Sequence, residues 1–188
     1  MKHPRIFPIL LAAGKPSRPH EQNASANLAG RTALQVAVEN CAHLERPTVV
    51  LGFKSEQLRP TVPARARIVV NHRWRAGQLS SLLSGLRKVP LDSAFLLYPT
   101  DLVFLTRPVI RTLVAGFRRC TKTQKIVMPV YRGRDGHPVI FAAGLRAELA
   151  HARTARDIVY SDPRRIKRVR VSTSAIWKDF GAHPPPNT

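Results

Sequence analysis

Ile9-Leu10-Leu11-Ala12-Ala13-Gly14-Lys15-Pro16-Ser17-Arg18 is the stretch on which the fold turns. An apolar run stops at a glycine, and a cationic, turn-rich loop follows. A continuous apolar run without alternation belongs to a strand covered on both faces, as in a parallel sheet. The first strand is therefore read over residues 6–12. Small residues after it let the backbone come close to a ligand. Successive backbone N–H groups in a turn form a concave anion site, and Arg18 carries a planar fork of donors that suits phosphate. Taken alone, the loop also reads as an ordinary strand-ending turn.

The pattern repeats outward from there. Apolar runs at 48–51, 67–70, 94–98 and 126–130 read as further strands, and 138–141 as extended chain. Residues 166–171 alternate apolar with basic, the pattern of an edge strand with one wet face. Between them lie helical stretches. Thr32 caps one that reaches about His43, and Ser55 caps a brief one through Leu58. Leu79, Leu82, Leu83 and Leu86 give helical spacing over 79–87. Pro108 opens a helix to about Arg118 at a position where proline is tolerated. Residues 145–150 and 155–160 also read as helical. Residues 13–30 read as a long loop and 132–137 as a Gly-rich turn. Alternating strands and helices imply an open α/β sheet with helices on both faces. In such folds ligands bind beyond the carboxyl ends of the strands. Residues 13–18, 71–81 and 99–102 are thus expected on one rim.

Composition narrows the setting. A chain of 188 residues is expected to form one domain over 1–182, since domains commonly run to about 100–200 residues; residues 183–188 read as a Pro-rich disordered tail. Cys41 and Cys120 form no CxxC arrangement, which excludes a disulfide framework and points to a reducing, cytoplasmic setting. Residues 1–13 are interrupted by Pro4, Arg5 and Pro8, unlike a signal peptide, and no apolar run is long enough for a membrane helix. Thirty-one Lys and Arg against 11 Asp and Glu give a net charge of +20, so polyanions are favoured partners. Nucleotides, pyrophosphate and nucleic acid all qualify, as does a merely solvated basic surface. The densest cluster is Arg164, Arg165, Lys167, Arg168 and Arg170.

Four stretches, in order, resemble one family. Residues 11–18, LAAGKPSR, are similar to a nucleotide-binding loop of the form LAAGxSxRMGxxK. Residues 71–86, NHRWRAGQLSSLLSGL, are similar to NPxWxxGxxSSLxxGL. Residues 98–102, YPTDL, stand where a D-x-P follows an apolar strand. Residues 128–141, MPVYRGRDGHPVIF, are similar to P-x-y-x-G-x-x-GHP-x-x-F. Together they resemble the MobA-like NTP transferases, and within them the molybdenum cofactor cytidylyltransferase branch.

The resemblance implies a three-layer α/β/α Rossmann-like sandwich of the nucleotide-diphospho-sugar transferase type, with a mostly parallel sheet. It implies a Mg²⁺-dependent transfer of a nucleotidyl group, CMP above all, from an NTP to a phosphorylated acceptor such as molybdopterin, with release of pyrophosphate. Arg18 and Asp101 would be catalytic. Leu11, Ala12, Ala13, Gly14, Lys15, Arg18, Asn23, Asn71, Ser80 and Ser81 would bind the nucleotide, and His137 the acceptor. Asp101 and Asp179 would hold Mg²⁺, a hard cation that takes carboxylate oxygens together with phosphates and water. Plainer roles compete with several of these. Ser80 or Ser81 could cap a helix, Asn71 could end a strand, His137 could shape a turn, and Trp74 reads as packing.

Departures from the family pattern support an alternative. Pro19-His20 replaces Met-Gly, and Asn23 stands where the family has its phosphate-binding Lys. At the far end Asp179 matches the first Asp of a D-I-D segment and Gly181 the second. Residues 151–156 lack the Asp and Gly of the family's Gly-Asp-x-Gly-Ala-Arg. The alternative is a catalytically impaired relative that binds a nucleotide, a cofactor or a protein partner.

Overall fold

The computed structural model describes residues 4–15, 27, 28 and 30–177. In chain order the elements are β1 (Ile6–Ala12), β2 (Asn27–Leu28), β3 (Arg31–Thr32), α1 (Ala33–Asn40), β4 (Thr48–Leu51), α2 (Ser55–Leu58), β5 (Arg67–Val70), α3 (Gln78–Leu86), β6 (Ala94–Pro99), α4 (Arg107–Arg118), β7 (Ile126–Tyr131), β8 (Arg134–Asp135), β9 (Val139–Phe141), α5 (Arg146–His151), α6 (Ala155–Tyr160) and β10 (Ile166–Arg170). Among the described residues the main sheet runs β10-β7-β9-β6-β1-β4-β5, with β8 hung on β7. The pairs β1–β4, β1–β6, β4–β5 and β7–β10 are parallel; β9 runs antiparallel to both of its neighbours. Reversing β9 lets β7 and β10 point the same way as β6. The carboxyl ends of β1, β4, β5, β6, β7 and β10 therefore share one rim, as the sequence predicts.

Two apolar clusters sandwich the sheet, which makes three layers. On one face Leu34, Ala37 and Val38 of α1 and Ile110, Leu113 and Val114 of α4 pack on Leu10, Val49, Leu96 and Val127. On the other, Leu82 and Leu86 of α3, Leu149 of α5 and Val159 of α6 pack on Phe7, Ile9, Val50, Phe95 and Phe141. Alternate residues of β1 join opposite clusters, and all seven of its residues are buried. That is why its sequence is apolar without alternation. Gly85 makes the close approach of α3 to the sheet, since a Cβ there would lie 2.5 Å from Ile9 Cγ2.

The edge strand at 166–171 is β10, one residue shorter, with Arg168 and Arg170 exposed. Several boundaries move. Helix α1 ends at Asn40 rather than near His43. Thr32 does cap it, in a capping box with Gln35. Ser55 does not cap α2: Lys54 holds that position in the left-handed region, and Ser55 lies inside the helix. The 13–30 segment read as loop contributes β2 and part of a two-stranded ladder with β3. The Gly-rich turn is a hairpin, β7–β8, closed by Arg132 and Gly133, both at positive φ.

Candidate active site

The rim beyond β1 and β6 is built by a backbone splice. The parallel register pairs Leu11 with Pro99. One residue on, the Thr100 N–H donates to the Leu11 carbonyl at 3.1 Å, and the Thr100 hydroxyl donates to the same oxygen at 2.9 Å. Thr100 is buried, so this double bond is shielded from water. It sets Asp101, half-buried, beside the Ala12-Ala13-Gly14 turn.

The other flank of the turn is fixed by β4. The Phe53 N–H donates to the Ala13 carbonyl at 3.0 Å. Gly52 makes this possible, because a Cβ there would lie 2.7 Å from the Ala13 oxygen and 2.6 Å from Trp74 Cβ. Trp74 packs edge-on against Phe53, in the packing role read from sequence, and the Arg75 guanidinium sits 4.8 Å over its ring. Leu11, Ala12 and Ala13 are buried, while Gly14 and Lys15 are exposed. Among the described residues, a Cβ on Gly14 would meet no atom within 4 Å, so packing against them does not call for glycine there.

Asn71, Ser80 and Ser81 are brought together from the end of β5 and the first turn of α3. Asn71 Nδ2 donates to Ser80 Oγ at 2.9 Å and to Ser81 Oγ at 3.0 Å; its Oδ1 accepts from the Arg73 N–H at 3.0 Å. The Asn71 N–H continues the ladder onto the Leu51 carbonyl. Neither serine caps α3: Gly77 stands at the cap, and Ser80 Oγ donates to the carbonyls of Gly77 and Arg73. The cluster clamps the loop at 71–77 to the helix, with Asn71 and Ser81 buried.

His137 enters from β9. The antiparallel β6–β9 register ends with Leu97 opposite Val139, so His137, two residues before β9, lies toward the rim where β6 ends. The His137 N–H donates to the Ile176 carbonyl at 2.8 Å. Gly136 permits that approach, because a Cβ there would sit 2.7 Å from the same oxygen. His137 Nδ1 is buried with no hydrogen-bond partner. Burial holds the imidazole pKa below its ordinary value, which favours the neutral ring.

The rim thus gathers Leu11, Ala12, Ala13, Gly14, Lys15 and Asp101, with His137 on one side and Asn71, Ser80 and Ser81 on the other. Arg18, Asn23 and Asp179 lie outside the described residues. Thr100 and Gly52 carried no mark in the sequence reading. Thr100 lies inside the YPTDL motif and Gly52 ends an apolar run, but their partners are far along the chain. Asp101 offers one hard carboxylate on the rim, the kind of ligand Mg²⁺ takes together with phosphates and water; among the described residues no group of three or more His, Cys, Asp or Glu could hold a metal ion. No helix among the described residues is long and apolar enough to cross a membrane.

Solved structures share this architecture. Rv0371c from Mycobacterium tuberculosis H37Rv superposes with a TM-score of 0.75 at 19% identity, over 91% of this chain and 90% of that one. A manganese complex of the same protein gives 0.73, also at 19%, over 90% and 89%. A nucleotidyl transferase from Methanothermobacter thermautotroptrophicus gives 0.74 at 20%, over 90% and 88%. CMP:2-keto-3-deoxy-manno-octonic acid synthetase complexed with CTP gives 0.71 at 10%, over 90% of each chain. At these identities the likeness is one of fold. No curated protein matches the chain. The MobA-like NTP transferase domain matches residues 8–169, through every strand described above up to Val169 in β10. On that match and this architecture, the chain belongs to the MobA-like NTP transferase domain family.

Proposed function

We propose that this chain transfers a nucleotidyl group, CMP in first place, from an NTP to a phosphorylated acceptor such as molybdopterin, with release of pyrophosphate. The observation that supports this most is Gly14, exposed at the end of β1, where a Cβ would meet no atom of the described residues. A ligand lying along the turn supplies a reason for glycine that packing does not. The two similar structures that hold CTP and manganese agree with a nucleotide and a divalent metal.

In this reading Leu11, Ala12, Ala13 and Gly14 lie along base and ribose, and Lys15 and Arg18 meet the triphosphate. Asn23 offers a neutral side chain where the family has a cation. Asn71, Ser80 and Ser81 form the facing wall, held rigid by their mutual bonds. His137, neutral at pH 7, orients the acceptor. An acceptor phosphate oxygen attacks the α-phosphorus; a new P–O bond forms, the bond to the β-phosphate breaks, and pyrophosphate leaves. Nothing is oxidised or reduced. Asp101, with Asp179, would hold Mg²⁺, which when bound neutralises charge on the phosphates. The protein's part is to position the two substrates and supply fixed cations.

A second reading is a binding module without turnover. It is favoured by Asn23, a neutral residue where the family has its phosphate-binding Lys. Calorimetric titration of CTP, GTP and ATP, with and without Mg²⁺, followed by a pyrophosphate-release assay, separates the two. Transfer is expected with CTP, Mg²⁺ and molybdopterin, and Asp101→Asn should abolish it. CTP binding without release favours the module; no NTP binding with Mg²⁺ sinks both nucleotide readings.

A further inference from the structure

At the β7–β10 end of the same rim lies a cavity of about 550 Å³, lined by Val130, Arg132, Gly133, Arg168, Arg170 and Val171. Its volume falls in the usual range for small-molecule sites, about 300–1,000 Å³. Three of the six lining residues are arginines. Arg168 is fixed by a two-pronged ion pair with Asp135, 2.8 and 3.0 Å, and the Tyr160 hydroxyl donates to the same carboxylate. Arg132 and Arg170 make no ion pair among the described residues, so two cations face the cavity without a counter-charge. Arg132 also sits at φ 48°, where Gly or Asn is easier and a larger L-residue costs roughly 1 kcal/mol. An arginine held at a turn position that disfavours it invites a functional reading. Val130 and Val171 add an apolar floor.

We propose that this cavity is an anion subsite for a small phosphorylated organic molecule, seating a second anionic group of the acceptor while its reacting phosphate lies at Asp101. The assignment to the acceptor rests on the nucleotidyl-transfer reading; the anion subsite does not. Strand spacing sets the geometry: at about 4.8 Å per strand, β7 lies roughly 10 Å and β10 roughly 14 Å along the rim from β6. An extended acceptor can span that. A half-open site with no aromatic in its lining favours a small molecule over single-stranded nucleic acid, which needs stacking platforms.

The probe is 1,6-hexanediol bisphosphate, with hexyl phosphate as its one-anion counterpart, titrated calorimetrically into the full chain without nucleotide. Arg132→Gly relieves the turn, so its melting temperature should not fall, and it should combine with Arg170→Ala without loss of folding. Hexyl phosphate and the bisphosphate should both bind, and the double variant should lose roughly tenfold or more of the affinity for each. Arg164→Ala, whose guanidinium pairs with Asp162 away from the cavity lining, should change nothing. Bisphosphate binding that is absent, or unaffected in the double variant, overturns the proposal. So does a single-stranded oligonucleotide that binds through the same arginines more tightly than the bisphosphate. If CTP fails to bind but arginine-dependent bisphosphate binding persists, the subsite stands and the nucleotidyl-transfer reading falls.

Discussion

The two halves of the sheet share a buried apolar core and differ in strand direction and in the charge at their edge. In the inner half, β6-β1-β4-β5, the chain is parallel, and Leu10, Leu96 and Leu97, with Val49, Val50 and Leu51, are almost wholly buried. In the outer half β9 is reversed, β10 shows alternate residues to water, and the surface carries Arg132, Arg168 and Arg170, of which Arg168 pairs with Asp135. Both halves gain from area removed from water, since Ile126, Val127, Val139, Ile140 and Phe141 are buried as well; the outer half adds ion pairs at its exposed edge, worth little each. A rigid centre can position a turn and a carboxylate to a fraction of an ångström. A wet edge is where charge can be offered to a ligand without a large desolvation cost.

Mutations should read this contrast directly. The largest effect is expected for Leu10→Ala in the central strand, fully buried: about 3–4 kcal/mol of stability lost, measured by chemical denaturation. A loss under about 1 kcal/mol would mean the centre collapses to fill the cavity. Next come the two glycines where helices touch the sheet. A Cβ on Gly85 would lie 2.5 Å from Ile9 and 2.9 Å from Val50, both at the centre; one on Gly116 would lie 2.7 Å from Val169 on the edge strand. Gly85→Ala should cost about 2 kcal/mol, overpacking two immobile side chains. Gly116→Ala should cost less, because β10 can yield and alanine improves the helix by up to about 1 kcal/mol. Equal costs would break the contrast between halves. Asp135→Asn, which removes the partner of a partly exposed Arg168, should change stability by less than about 1 kcal/mol.

The smallest effect lies at the junction of the halves. Burial lowers the His137 pKa from 6.5, so the unfolded state takes up a proton before the folded state does. Stability is therefore fully present above about pH 6.5 and is lost as pH falls from there through the lowered folded value. His43, also lowered, adds to the same slope. His137→Gln should flatten part of that acid-side loss in melting temperatures taken from about pH 8 to about pH 5. An unchanged slope would place the titration elsewhere.

Much of this was legible from residues alone. β1, β4 and β5 fall on the expected residues because an apolar run ended by Gly or a polar loop leaves a buried strand few alternatives. The wet edge at β10 was visible because alternation records which face meets water. Legibility failed where a bond joins residues distant in the chain. Thr100 carries no signal in the sequence; only the β1–β6 register sets its hydroxyl on the Leu11 carbonyl. Ser80 and Ser81 read as caps until Asn71, nine and ten residues back, is seen to claim both hydroxyls.

By itself the sequence determined the periodicities: which segments form the main strands and helices, that a small-residue turn and an Asp follow the carboxyl ends of two strands, and that a Gly-His-Pro precedes the extended segment at 138–141. Those follow from local sterics and from the burial each pattern demands. The tertiary structure alone decided the order β10-β7-β9-β6-β1-β4-β5 and the reversal of β9. It also decided the splice through Thr100 and the gathering of Arg132, Arg168 and Arg170 around one cavity. Each of these depends on which strand lies beside which, and that is chosen by the packing of the whole sheet rather than by any run of neighbouring residues.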